Sequence, residues 1–312
     1  MSKLNELNCS VFTKNTGFNA CYLDWKLFKG AFIYQSPRTF SAAELANLET
    51  TLQDDAFSDV KSTRAYPIHN FVALTDNTED VIIQTFDYGA KAIVRDGDYD
   101  WTFEFQDGGA CLTRSGRTLN GKQYMLFYDS ENKILGQDLN GQFSTIPLQF
   151  LYFKPFKSAT GSAAASYGMR AVFNARYGNE DSAVVKSDFD LSEITGLQDI
   201  VLEKNGFNHN TGMLNVSIVT DCGASDLYGQ YSAKFTVGLW NASNTQTGAP
   251  ITITSVTPIA GTSSFNVQLL HSDPDWPADG TISVGLAVPS LLTAAGIAGY
   301  EAVVLEVDVS GS

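Results

Sequence analysis

The sequence predicts a mainly β protein in two parts: a β-sandwich or barrel with one packed α-helix, then a second β-sandwich. Three observations carry this. Short β-prone runs separated by Asp-Gly, Gly-Gly and Asn-Gly turn signals recur along most of the chain. Only residues 41–56 have strong helical spacing, and composition shifts near residue 205 toward Thr, Ser, Val and Gly. The two parts are expected at 1–206 and 207–312, divided in the turn-rich stretch 204–212.

The helix opens on a capping box, Ser41 with Glu44 three residues on, and Leu45, Leu48, Leu52 and Ala56 fall on one face. Asp54, Asp55 and Asp59 crowd its far end against the helix dipole, so that end is expected in solvent or against a partner's positive group. Strands are expected at 71–74, 81–86, 90–94, 99–105, 123–128 and 148–153. Residues 99–105 alternate most clearly, with Tyr99, Trp101, Phe103 and Phe105 toward a core and Asp100, Thr102 and Glu104 on a wet, acidic face. The small, polar stretch 157–167 reads as a mobile loop or arm ordered by a partner. Strand character resumes at 171–175 and 182–186, and 192–203 leads out of the first part.

In the second part, strands are expected at 214–220, 233–240, 251–256, 264–270, 281–288 and 301–309, with a short helical turn at 289–295. This spacing suits an immunoglobulin-like module, with Trp240 as its core aromatic. Only Cys222 lies in this region, so the inter-sheet disulfide of antibody domains is excluded. Cys9, Cys21, Cys111 and Cys222 show no C-x-x-C pairing and are read as reduced thiols, against the alternative of a Cys9–Cys21 bridge.

Charge narrows the function. The 312 residues carry 20 Lys and Arg against 34 Asp and Glu, a net charge of −14, which disfavours a phosphate-neutralising nucleic-acid binder. From residue 205 onward one basic residue, Lys234, stands against eight acidic ones, a net of −7; the first 204 residues carry 19 basic and 26 acidic groups, also −7. No run approaches the roughly 18 apolar residues of a membrane span, and residues 1–10 lack the order of a signal peptide. No membrane partner is expected, and the protein is expected to be made in a cytosol.

No nucleophile elbow, phosphate loop, dinucleotide fingerprint or zinc-protease motif occurs, and no enzymatic activity, catalytic residue or cofactor is expected. Asp96, Asp98, Asp100 and Asp107 fall at calcium-loop spacing, but Trp101 replaces the required Gly and the segment reads as a strand, so no metal is expected there. His69, His209 and His271 are too scattered for a metal triad. The segment 271–280 carries His271, Asp273, Asp275 and Trp276 in a loop stiffened by Pro274 and Pro277, either as a metal site or as an exposed binding loop. Basic residues cluster weakly, as Arg114, Arg117 and Lys122 and as Lys154 and Lys157, which suits salt bridges within this chain or to a neighbouring copy.

A β-rich, acidic chain with a polar arm and no catalytic constellation suits a self-assembling structural protein. In its single helix at 41–56, its aromatic and acidic alternation at 99–105, its loop at 157–167 and its sandwich from Met213 onward, the chain resembles the major tail tube proteins of long-tailed bacteriophages. The likeness is one of arrangement over most of the chain. It implies a virion protein assembled in the host cytoplasm, stacking as hexameric rings with other virion proteins. DNA would pass through an acidic channel without specific binding, and the immunoglobulin-like domain would sit outside. It makes Asp98, Asp100 and Glu104 candidates for the channel wall, and Lys157, Ser158, Thr160, Gly161, Ser162 and Tyr167 candidates for an intersubunit arm. A neck, ring or capsid decoration protein would use the same modules, and the loop with Trp276 also suits a module that binds a cell-surface glycan.

Overall fold

The computed structural model describes residues 28–310 apart from 81, 96, 106–108, 162–164, 175–176, 178–181, 222–226 and 278–279. The architecture is mainly β, and the chain divides into two compact units, Met1–Gly196 and Leu197–Ser312. The division falls before the strand Gln198–Asn208, which hydrogen-bonds with Met213–Thr220 as the opening hairpin of the second unit. The stretch at 204–212 is therefore the end of that strand, to Asn208, and the hairpin turn 209–212, rather than an interdomain linker.

The first unit is built round β1 (Phe28–Tyr34), which pairs antiparallel with β3 (Ala65–Ile68) on one side and β8 (Tyr124–Asp129) on the other. Phe32 and Tyr34 of β1, with Leu126 and Tyr128 of β8, pack on the helical side. Ala31, Ile33, Met125 and Phe127 face a second sheet. A strand buried on both faces reads as a continuous apolar run, which is why alternation does not mark Phe28–Tyr34. The second sheet runs β4 (Phe71–Asp76), β7 (Asp100–Phe105), β12 (Tyr167–Phe173), β11 (Ile146–Phe153). Two corners join the sheets. β11 pairs β8 at Ile146 and Pro147 and then, across a register shift at Leu148–Phe150, pairs β12. β3 bends into β4 at Asn70, whose φ of 62° lies in the left-handed region that Asn tolerates. The core between the sheets is aromatic: Phe103 and Phe127 stack with centroids 5.4 Å apart, and Trp101 meets Phe173 edge-on at 4.5 Å. β9 (Lys133–Leu139), β10 (Gln142–Ser144), β13 (Ser182–Lys186) and the short β2 (Thr39–Phe40) extend the first sheet.

The expected helix is two, α1 (Ala42–Ala46) and α2 (Leu48–Ala56). The capping box forms: the Glu44 N–H donates to Ser41 Oγ at 3.3 Å and the Ser41 N–H to Glu44 Oε2 at 2.7 Å. Asn47 interrupts the run because its side-chain amide donates back to the Ala43 carbonyl at 3.1 Å while its backbone leaves helical geometry at φ −126° and ψ 47°. Leu45, Leu48, Leu52 and Ala56 all face the first sheet, as their spacing predicts. The acidic end is not simply solvated. Arg38 donates to Asp55 at 2.9 Å and to Glu44 at 2.7 Å, and the buried Tyr34 hydroxyl donates to Asp55 at 3.2 Å. A further helix, α3 (Gly109–Gly116), has no counterpart in the sequence reading.

The second unit is a sandwich of two sheets. One runs β17 (Ile253–Ile259), β18 (Ser264–Leu269), β15 (Met213–Thr220), β14 (Gln198–Asn208), β20 (Tyr300–Ala302); the other runs β16 (Trp240–Asn244), β19 (Thr281–Leu286), β21 (Leu305–Asp308). Apart from β20, this is the four-plus-three strand order of an immunoglobulin constant-type sandwich, with Trp240 on the third strand. Trp240 is buried with its ring 5.9 Å from the fully buried Phe265. The expected strand at 233–240 is instead two 3-10 turns, Ser232–Lys234 and Val237–Leu239, because Phe235 and Leu239 are both drawn into the core. The expected strand at 301–309 is split: β20 pairs parallel with β14, and β21 pairs antiparallel with β19 in the opposite sheet. The helical turn appears at Pro289–Ala294. Among the described residues no helix is long and apolar enough to cross a membrane.

Candidate interaction surfaces

Of the acidic face expected on β7, only Glu104 is exposed. Asp100 points outward but is 7% exposed, and Arg170 on the neighbouring strand clamps it, with Nε 2.9 Å from Oδ1 and Nη2 2.5 Å from Oδ2. A carboxylate so paired presents no free negative charge to a channel. Thr102 is also buried, receiving a hydrogen bond from the Asn77 amide at 3.2 Å. The wet, acidic face is thus corrected to one acid, Glu104, beside a neutralised pair. Asp98 is half-buried in the turn before β7, and Asp96 and Asp107 lie outside the described residues.

The loop at 157–167 is closed at its base. Lys157 and Ser166 exchange both backbone hydrogen bonds at 3.1 Å, and Phe156 stacks on Tyr167 with centroids 5.1 Å apart. Lys157, Ser158, Thr160 and Gly161 are exposed beyond that base, and Ser162 lies outside the described residues.

In the second unit, His271 and Asp275 are exposed but Asp273 and Trp276 are not free. Asp273 is buried, and the N–H groups of Thr252 and Asp275 donate to its carboxylate at 3.0 and 3.1 Å, holding it below the usual carboxylate range. It organises its own loop. Trp276 is half-buried against the core, lying parallel to Phe207 at 6.4 Å and tilted on His271 at 4.8 Å. The expected aromatic anchor of an exposed loop is instead a lid on the end of the sandwich. Among the described residues no group of three or more His, Cys, Asp or Glu is placed to hold a metal.

The most exposed apolar feature is one that periodicity locates without revealing its exposure. β5 (Ile82–Thr85) and β6 (Lys91–Arg95) form a two-stranded hairpin bonded to neither main sheet. Ile83 and Ile93 sit directly opposite each other, 55% and 67% exposed, and Tyr88 at the turn is 79% exposed and stacks on Phe86 at 5.5 Å. The hairpin continues the β4–β7 pair outward: the Asn77 N–H donates to the Asp100 carbonyl at 2.7 Å. At its root, an ideal Cβ on Gly97 would lie 1.6 Å from the Glu79 carbonyl oxygen, so only glycine lets the two sides come this close. A hairpin of two strands is marginal on its own in water, and this one turns Ile83, Tyr88 and Ile93 to solvent.

The thiol expectation needs one correction, since Cys111 on α3 is disulfide-bonded; Cys9, Cys21 and Cys222 lie outside the described residues. The spacing of the cysteines carries no signal for such a pairing. His69 is a structural ligand of the fold: Nδ1 lies 2.5 Å from the Tyr128 hydroxyl and Nε2 2.8 Å from the Ile194 carbonyl. No family model matches the chain, and no curated protein matches it.

Proposed function

We propose that the chain is a self-assembling structural subunit of a phage virion, a tail tube protein in its sharpest form, stacking as rings of about six copies through which DNA passes. The observation that supports this best is the hairpin arm Ile82–Arg95, two strands that among the described residues pair only with each other and that expose Ile83, Tyr88 and Ile93. The two β-sandwich units and their net negative charge suit that reading, with the channel resting on overall charge rather than on single residues of β7. The partial burial of Trp276 beside Phe207 weighs against the alternative of a glycan-binding loop.

The test is electron microscopy of the purified full chain together with its mass in solution over a range of concentration. Rings or stacked tubes with an open bore are expected. The double variant Ile83→Thr, Ile93→Thr is expected to keep the far-ultraviolet spectrum and lose the assemblies. A wild-type chain that stays monomeric at high concentration refutes the proposal.

A further inference from the structure

We infer that the outer face of the β4–β7–β12–β11 sheet receives the hairpin arm of a second copy of this chain. The inference rests on the assembly reading above and names the surface that reading requires. β11 turns Leu148, Leu151 and Phe153 into the core, so Phe150 and Tyr152 stand outward, 37% and 42% exposed. Register places Tyr152 beside Arg170, and Arg170 beside Thr102. Val72, at the irregularity of β4, adds a side chain 55% exposed. Aromatic rings around an arginine are the composition of a contact centre, not of a wall along which DNA slides.

Charge fits the arm to this face. At one end of the sheet, Glu104 and Lys154 flank Gly168: Glu104 is its register partner and the Lys154 N–H donates to its carbonyl at 2.8 Å. Gly168 cannot carry a side chain, because a Cβ would lie 2.5 Å from the Phe103 carbonyl oxygen, so no side chain of its own stands between the two charges. The arm presents the complementary pair, Asp87 in its turn and Lys91 on the same face as Ile83 and Ile93. Asp87, Lys91, Glu104 and Lys154 make no ion pair among the described residues. The arm leaves its own sheet beyond the Asp76–Trp101 pair, toward the opposite end of β4 and β7 from Glu104, and Gly97 closes its root against Glu79. The occupant is therefore another copy, and because arm and face are different patches the contact is head-to-tail.

The experiment places a photoreactive benzoylphenylalanine at Ile93 in the full-length chain. Isotopically light and heavy copies are mixed before irradiation, and the cross-linked peptides are mapped. Light-to-heavy links into residues 148–156 or 168–172 are expected. Separately, Phe150→Ala with Tyr152→Ala is expected to weaken self-association about 30-fold or more, the scale of a contact hot spot, with an unchanged thermal midpoint as the control for folding. Assemblies whose links map to another surface, or which are indifferent to the double variant, overturn this inference and leave the assembly reading standing. A chain that never associates overturns both.

Discussion

Replacing His69 tests the tie from the β3–β4 corner to β8 and to Ile194 within the first unit. The Ile194 carbonyl can only accept, so Nε2 carries the proton; Nδ1 is then free to accept from the Tyr128 hydroxyl. That pattern requires neutral imidazole. Burial accordingly lowers the His69 pKa from its ordinary 6.5, opposed by the Ile194 carbonyl and the nearby Asp190. Burial likewise raises the Tyr128 phenol, which stays protonated throughout. Because the folded pKa lies below the unfolded one, the stability that His69 contributes is fully present above about pH 6.5. It is lost as pH falls from there toward the folded pKa, by up to about 1.4 kcal/mol per pH unit. His69→Ala strands the Tyr128 hydroxyl and the Ile194 carbonyl in buried surroundings, each at about 1–3 kcal/mol. A loss of about 3 kcal/mol in a unit of this size lowers the melting temperature by roughly 6–12 °C at pH 7.5. Calorimetry of the full chain at pH 7.5 and 5.5 measures this, and amide exchange across residues 190–196 reports the released segment. His209 and His271 lie in the other unit. If wild type and His69→Ala lose the same stability between the two pH values, the assigned tautomer and its role are wrong.

Phe265→Ala should cost about 3–5 kcal/mol, since the fully buried ring meets Tyr228, Phe235 and Trp240. Calorimetry should show that loss in the second unit while the transition of the first stays in place, because each has its own core. Arg170→Ala leaves the Asp100 carboxylate without its partner; with the arginine half in solvent, about 1–2 kcal/mol is expected from urea unfolding, and Arg170→Lys should restore only part of it. The Ser41 N–H and Arg38 hold the Glu44 carboxyl down to about 2 from its ordinary 4.5. Its contribution is thus present above about pH 4.5 and lost as pH falls toward 2, and Glu44→Gln should flatten that part of an acid-unfolding curve.

The helical region was legible because its signals are local: Ser41, Glu44 and four apolar residues on one face act within four residues of one another. β13 was legible to the residue, and in the second sandwich β15, β17, β18 and β19 were legible to within a few residues, although six strands are expected from the sequence where eight form among the described residues. Strands buried on both faces were not, because Phe28–Tyr34 owes its apolar run to two layers that only the tertiary fold supplies. The candidate surfaces were harder still. Alternation correctly turned Asp100 away from the core, yet whether that side is wet depends on Arg170, seventy residues away. Conversely, Ile83 and Ile93 read as ordinary strand residues, and nothing local states that no second layer covers them. Trp276 was read as an anchor from its prolines, while its stacking partner Phe207 belongs to another hairpin.

The split of the last strand has a mechanical consequence. β20 runs parallel to the opening residues of β14, matching Tyr300 to Gln198 and Ala302 to Ile200, while β21 is carried to the other sheet. Tension applied through the two ends of this unit would therefore drag β14 and β20 past each other lengthwise. The bonds from the Gln198 N–H to the Gly299 carbonyl and from the Val303 N–H to the Ile200 carbonyl bear that load together rather than one after another. A module fastened in this way resists extension by shear, where a terminal hairpin would peel open bond by bond.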